Sequence, residues 1–236
     1  EMIARREGFG DVMAEGVARM AARFGPDSEP FNITVKGQEL PMHEPRLKHA
    51  LGVGYAVAPV GADHMMNMHD TAFARDGRSI QRVNSALSEP IGPVPRDVLD
   101  EDKLKIFHNE LNFSHFEDCA QICMFYCFDY DHLADALSGE SGLEYSIHDI
   151  LAVGARAQTL SRLFNLREGL TAADDRLPKR VMTAFESGPI EGSGIASKDL
   201  ERFKRRFYEG MKWEPDTGAP TEECLRELEL DRMLEF

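Results

Sequence analysis

The chain of 236 residues is 42% hydrophobic, enough to bury a sizeable core in one large domain or two small ones. Forty-one acidic against 27 basic side chains give a formal charge of −14, which argues against nucleic acid or an anionic membrane surface as partner. No apolar run is long enough to cross a bilayer and the opening residues lack a secretory pattern, so a soluble, cytoplasmic protein is expected.

In chain order, Met2, Ile3, Phe9, Val12, Met13, Val17, Met20 and Phe24 recur near a helical period and predict a helix or helix pair over 2–24. Gly8 and Gly10 should break it, Asp11 should cap the second piece, and Gly25-Pro26 should end it. The helical rhythm already runs at Glu1-Met2-Ile3-Ala4, which reads as a chain entered partway through. Residues 32–36 alternate as a short strand, and Gly37 turns the chain towards Glu39-Leu40-Pro41. From 41 to 95 the texture is glycine, proline, histidine and methionine with weak periodicity, too apolar for a linker. Asp63, His64, His69 and Asp70 lie here. They are read either as ligands for zinc or iron, as one histidine acting on a substrate, or as hydrogen-bonded structural groups.

Beyond Pro95 the pattern is helical. Asp100 caps a helix over 100–113 with Leu104, Phe107 and Leu111 inward, and a short helix over 131–137 closes at Ser138-Gly139. Ser146-Ile147-His148-Asp149 has the form of a capping box. It opens a helix running to about residue 165, with Ile150, Leu151, Val153, Leu160, Leu163 and Phe164 as its apolar face. A turn at Asp174-Asp175-Arg176-Leu177-Pro178, a glycine loop at Gly188, Gly192 and Gly194, and helices over 198–210 and 221–228 complete the chain. Leu200, Phe203, Phe207 and Tyr208 should point inward from the first of these helices. The expected fold is mainly α, in irregular helical domains, with one short β piece near 32–36. The division expected is 1–95 and 96–236.

Residues 116–127 are the stretch the rest is placed around. They hold three of the four cysteines at a spacing of four, so a helix would set Cys119, Cys123 and Cys127 along one stripe. At about 1.5 Å per residue, Cys119 and Cys127 would stand roughly 12 Å apart, too far to grip one compact centre. Buried packing is the plain reading of such thiols. With Cys224 far away no disulfide framework suggests itself, and the thiols read as reduced and intracellular.

A set of colinear motifs then carries a resemblance. Arg6-Glu7-Gly8-Phe9-Gly10-Asp11 with Ala14-Glu15-Gly16, Lys36 to Pro41 with Pro45-Arg46, and Gly52-Val53-Gly54-Tyr55-Ala56 come first. Gly61-Ala62-Asp63-His64, Asp118 to Cys123, Phe164 to Gly169, Asp174-Asp175, Leu177-Pro178-Lys179-Arg180 and Tyr208 to Trp213 follow. Together they resemble the carboxy-terminal part of the tungsten-containing aldehyde ferredoxin oxidoreductase family, over nearly the whole chain. That resemblance implies oxidation of a small aldehyde to its carboxylic acid, with two electrons taken by tungsten held between two pterins (molybdenum as the alternative metal). A 4Fe–4S cluster would pass them singly to ferredoxin or a ferredoxin-like electron-transfer subunit. The family's D-x-x-G-L-C motif falls on Asp118, Ile122 and Cys123. The resemblance gives Asp118 the pterin contact, Ile122 the backbone contact and Cys123 the role of fourth cluster ligand, leaving Cys119 and Cys127 to packing. His64 matches a family histidine near metal and substrate, suited to hydrogen bonding the aldehyde oxygen and moving a proton.

Four positions depart from the family pattern. Gln121 and Ile122 stand for the motif's glycine and leucine, Met66 for a cofactor-contacting lysine, and Glu44 for the aspartate before Pro45-Arg46. No C-x-x-C-x-x-x-C occurs, and one thiolate cannot hold a four-iron cluster. The resemblance therefore implies that a missing amino-terminal part, in cis or in trans, completes the enzyme, and a homo-oligomer is compatible with it. The competing readings are a cofactor-free structural or electron-transfer subunit of the same descent, and a mononuclear metal hydrolase built on Asp63, His64, His69 and Asp70.

Overall fold

The computed structural model describes residues 1–126 and 128–232. Three short helices open the chain: α1 (Met2–Arg5), α2 (Phe9–Met13) and α3 (Val17–Phe24). Gly8 at φ 56° and Gly16 at φ 83° make the corners between them. Asp11 lies inside α2 and does not cap it; its carboxylate takes Arg6, 3.0 Å away, so an ion pair wins over the capping role. After a 3-10 turn, β1 (Thr34–Val35) pairs antiparallel with β2 (Gln38–Glu39). The two-residue turn between them is Lys36 at φ 50° and Gly37 at φ 83°, the two left-handed residues that a tight hairpin needs.

The stretch from 41 to 95 holds two helices that periodicity does not reveal, α4 (His49–Val57) and α5 (Arg78–Asn84). Residues 50–57 of α4 are all buried, so the helix is apolar on every side and has no amphipathic signature. Its amino end carries no local side-chain cap. Instead the Asp70 carboxylate accepts from the amides of Ala50 (3.3 Å) and Leu51 (3.0 Å), and Lys103 pairs with it at 2.6 Å. A negative charge at the helix amino terminus answers both the free N–H groups and the dipole.

The second half is built on α6 (Glu101–Cys119), α7 (Tyr130–Ser141) and α8 (Ile147–Arg167), followed by α9 (Lys179–Met182), α10 (Ser197–Gly210) and α11 (Glu222–Glu227). Asp100 caps α6 through the Lys103 amide, and Ser146 with Asp149 forms the capping box of α8 as its sequence predicts. Helix α7 runs past Ser138-Gly139 and closes at left-handed Gly142. Helices α6 and α8 cross at Gly154, where a Cβ would lie 1.7 Å from the Asn112 carbonyl oxygen. On α8 the buried stripe is Ile150, Leu151, Gly154, Gln158 and Arg162. Leu160 and Phe164, expected inward, are exposed, because α6 takes the stripe that passes through Gly154.

The main core joins Val35, Leu51, Tyr55 and Phe73 to Phe107, Leu111, Phe203, Phe207 and Trp213. A second, smaller cluster holds Phe113, Phe116, Tyr130, Leu133, Ile150 and Leu151 under the end of α6. The chain is mainly α, with one two-stranded hairpin at the β piece anticipated near 32–36.

Candidate functional site

The end of α6 is the first half of the site. The helix does not continue through the cysteines: Cys119 is its last residue, Gln121 turns left-handed at φ 56°, and a 3-10 turn takes over at Met124–Tyr126. The Ile122 amide donates to the Glu117 carbonyl (2.8 Å) and the Gln121 amide to the Asp118 carbonyl (3.2 Å). This is the Schellman form of helix ending, and it gives the motif a physical sense. Asp118 is the second residue from the helix end, Gln121 is the left-handed residue where glycine is favoured, and Ile122 is the apolar residue that packs back against the smaller core. Cys123 then leaves the helix exposed.

A single helical stripe of three thiols is therefore not formed. Cys119 is exposed, not packed, because the left-handed turn carries the following chain off the helix. Cys127 lies outside the described residues. Cys119, Cys123 and Cys224 are free thiols, and only Cys224 among them is buried, its Sγ donating to the Met211 carbonyl at 3.2 Å.

The second half of the site is the loop after α4. Gly61 sits at φ 93°, where a Cβ would lie 2.2 Å from the Val35 carbonyl oxygen. Asn67 donates to the Asp63 carbonyl at 2.6 Å, and its side chain occupies the space over Gly54, where a Cβ would come within 2.1 Å of Asn67 Oδ1. His69 Nε2 donates to the His64 carbonyl at 3.0 Å. Three anchors therefore hold the backbone on either side of His64.

His64 belongs to a group that the sequence does not announce. Its ring centroid is 4.8 Å from that of His43 and 6.1 Å from that of His69, and His43 and His69 stand 4.6 Å apart. Lys48 Nζ lies 3.2 Å from His43 Nδ1 and 2.9 Å from His69 Nδ1. An ammonium only donates, so both Nδ1 atoms accept and both rings are neutral with the proton on Nε2. Burial, then the Lys48 charge, pushes the His69 pKa down to about 4 and lowers that of His43. A cavity of about 250 Å³ opens beside His43, lined by Ile33, Leu40, Met42, Arg46 and Arg180. Glu44 holds Arg46 through Nε (2.8 Å) and Nη2 (2.9 Å), and Arg46 stacks on Phe185 at 3.4 Å.

His69 has both ring nitrogens committed, and Asp70 is buried against α4 and Lys103. Asp63, His64, His69 and Asp70 therefore do not converge as metal ligands, and the metal-hydrolase reading falls with them. The one acidic and histidine group of ligand geometry among the described residues is the surface set Asp129, Asp131 and His132.

The two halves meet electrostatically. Burial raises the Asp118 pKa; His115 lowers it and Asp63, beside His64, raises it. His115 donates from Nδ1 to the Leu111 carbonyl at 2.8 Å, which leaves Nε2 as a buried acceptor without a partner among the described residues. The Asp118 carboxylate accepts no hydrogen bond from a described residue. Asp118 is exposed, so its carboxylate is open to a ligand; that carboxylate and the nearby buried His115 Nε2 suit a ligand rich in N–H groups, and the amino groups of a pterin are of that kind. Cys123 offers one exposed free thiol beside the end of α6. Sequence reasoning missed His43, Lys48 and His115, since only the fold brings them to His64 and Asp118.

The profile described as "Aldehyde ferredoxin oxidoreductase, domains 2 & 3" matches residues 1–230. The tungsten-containing aldehyde ferredoxin oxidoreductase of Pyrococcus furiosus is 34% identical over 226 residues, covering 94% of this chain and 34% of that protein. The protein of the same name from Pyrococcus abyssi is 33% identical over 236 residues, covering 98% and 36%. More distant is an aliphatic sulfonate oxidoreductase, WOR-like subunit, of Pyrococcus furiosus, at 24% identity. The active-site complex of benzoyl coenzyme A reductase with 1,5-dienoyl-CoA shares the fold, with a TM-score of 0.68 at 17% identity over 99% of this chain and 38% of that one. The chain thus spans about a third of the length of the curated relatives it matches. By the profile match and these identities, the chain belongs to the aldehyde ferredoxin oxidoreductase family.

Proposed function

We propose that this chain forms the carboxy-terminal part of a tungsten (or molybdenum) pterin-dependent oxidoreductase that oxidises a small aldehyde to its carboxylic acid. The observation that carries the reading is the Schellman turn from Asp118 to Cys123, with the open Asp118 carboxylate beside the buried His115 Nε2, sharing electrostatics with the loop that presents His64. Asp118 accepts N–H bonds from the pterin, and the Ile122 carbonyl is the backbone acceptor, its amide being committed to Glu117. Cys123 supplies one cluster thiolate, with the other cluster ligands coming from outside these residues, in cis or in trans. When bound, the metal-pterin group takes up the two electrons of the oxidation, and the cluster hands them on to ferredoxin or a ferredoxin-like subunit.

The chain's own residues orient the substrate and handle its protons. Turning an aldehyde and water into an acid releases two electrons and two protons. His64 donates a hydrogen bond to the aldehyde oxygen and, in its neutral form, takes up one of the protons as the acid forms. His43 and His69 stay neutral beside it because burial, and then the Lys48 ammonium, disfavours a positive charge on either ring. The division at residue 95 is retained within this proposal: residues 1–95 supply the substrate-facing loop and 96–236 the cofactor-facing helix end.

The test is a pair of variants in the complete protein. His64→Asn should lower turnover by about 10²- to 10⁴-fold and leave the cluster's electron paramagnetic resonance spectrum intact. Cys123→Ser should disturb that spectrum. Equal effects of both variants on both readouts would overturn the assignment. Absence of tungsten and molybdenum from the native protein would favour the second reading, a cofactor-free subunit, which the departures at Gln121 and Met66 allow.

A further inference from the structure

The imidazole group contains a cation that the proposed chemistry does not bring to the substrate. Lys48 lies at the amino end of α4, 9% exposed, and among the described residues no carboxylate lies within hydrogen-bond distance of its Nζ. The nearest charge it feels is that of Asp70, whose oxygens are already taken by Lys103 and the amides of Ala50 and Leu51. Its side-chain partners are two neutral ring nitrogens. Desolvating an ammonium without a counter-charge is costly. A methionine would fill the same space without that cost, so packing alone does not call for an ammonium here.

We propose that Lys48 is a positioning residue for His64: by donating to Nδ1 of both His43 and His69, it fixes both rings as Nε2–H tautomers. The fixed tautomer of His69 is the one that donates to the His64 carbonyl, 3.0 Å away. The fixed tautomer of His43, whose carbonyl is itself held by the Tyr55 hydroxyl at 3.2 Å, sets one edge of a neutral ring against the His64 imidazole. Without the ammonium, each ring is free to move its proton to Nδ1 or to take a second one. The hydrogen bond to His64 is then made for only part of the time. The inference deepens the reading of His64 given above and rests on it.

The charged and titratable groups that face this set are few. Lys48 faces His43 and His69 directly and Asp70 through space, and Asp70 faces Lys103 from α6 and His49 at the start of α4. His69 faces Lys48, His43 and His64. A pH step in the variants thus reports on these groups.

The experiment uses the complete protein with ¹⁵N-labelled histidine and the variants Lys48→Met and Lys48→Arg. In cofactor-free wild type, the ring nitrogens of His43 and His69 should show protonated Nε2 and bare Nδ1, persisting well below the usual histidine range. Lys48→Met should give mixed tautomers and a titration shifted upward from wild type, with burial still holding both rings below the ordinary histidine range; Lys48→Arg should keep the wild-type tautomers. In the loaded enzyme, Lys48→Met should lower kcat by at least about tenfold with little change in KM and move the acid limb of its pH profile upward, with partial rescue in Lys48→Arg. Unchanged tautomers together with unchanged kcat in Lys48→Met would overturn the proposal. Should Lys48→Met fail to fold, His69→Gln, which keeps a donor towards the His64 carbonyl, should retain more kcat than His69→Ala, and equal loss in both would overturn it. Wild-type turnover in His64→Asn would instead sink the reading of His64, while the tautomer measurement judges Lys48 by itself.

Discussion

Lys36 and Lys48 are both lysines taken out of water, and their surroundings differ in one respect. Lys36, at the hairpin tip, meets the Asp175 carboxylate at 2.7 Å, both side chains being almost wholly buried. The same carboxylate takes Arg162 at 2.7 Å and the Tyr208 hydroxyl, and Arg162 spends its remaining donors on the Gly218 (2.8 Å) and Thr217 (3.2 Å) carbonyls. That network ties the hairpin, α8, α10 and the 174–178 turn into one body. Around Lys48 the cation is answered, among the described residues, by neutral imidazoles alone. A satisfied buried network makes a fold unique, whereas an uncompensated charge beside perturbed titratable groups is the usual mark of a working site.

The sharpest way to break this comparison is Asp175→Asn. It strands Lys36 and Arg162 without their carboxylate and should cost about 3–5 kcal/mol of stability in denaturant titration. Lys48→Met orphans no carboxylate and should cost far less while changing turnover. Comparable stability losses in the two would erase the distinction.

Two glycines sharpen it. A Cβ at Gly54 would meet Asn67 Oδ1 at 2.1 Å, and one at Gly218 would meet Arg162 Nη2 at 2.3 Å. Each Gly→Ala change should cost about 1–3 kcal/mol through displaced neighbours. Only Gly54→Ala moves the loop that carries His64, so only it should lower kcat as well.

Acid should weaken the protein. His69 and His108 are held to about pKa 4 by burial, below their ordinary value of 6.5, so the unfolded chain binds protons first as pH falls. Their stabilising effect is complete above pH 6.5 and is lost as pH falls towards 4. Glu117, raised to about 7 by burial, and Asp118, also raised, act in the opposite sense, but burial lowers His43, His49 and His115 like His69 and His108. The thermal midpoint should therefore fall across this window, and His69→Gln with His108→Gln should flatten the fall. The smallest effect is that of Gln121→Gly, which relieves a left-handed non-glycine residue and should add about 1 kcal/mol without altering metal content.

What the sequence makes legible follows from where each signal is stored. The Asp100 cap, the capping box of Ser146 and Asp149, and the inward Leu200, Phe203, Phe207 and Tyr208 of α10 are local features, and they stand as read. Helix α4 is invisible because a helix buried on all sides has no stripe, and because Asp70, its capping group, comes from the far side of a loop. The cysteine spacing of four imitates a helix through residue 127. The signal against it was the motif itself, whose fourth position is the left-handed one that glycine serves and Gln121 occupies. His43 and Lys48 carry no local signal at all. They become functional candidates only when the fold brings them against His69 and His64.

The most direct test of the account is the tungsten and molybdenum content of the complete native protein, measured beside that of Asp118→Ala. Stoichiometric metal in the native protein and its loss from a folded Asp118→Ala variant are the results predicted. A native protein free of both metals, or equal loading in the two, would contradict the claim that the end of α6 holds the cofactor.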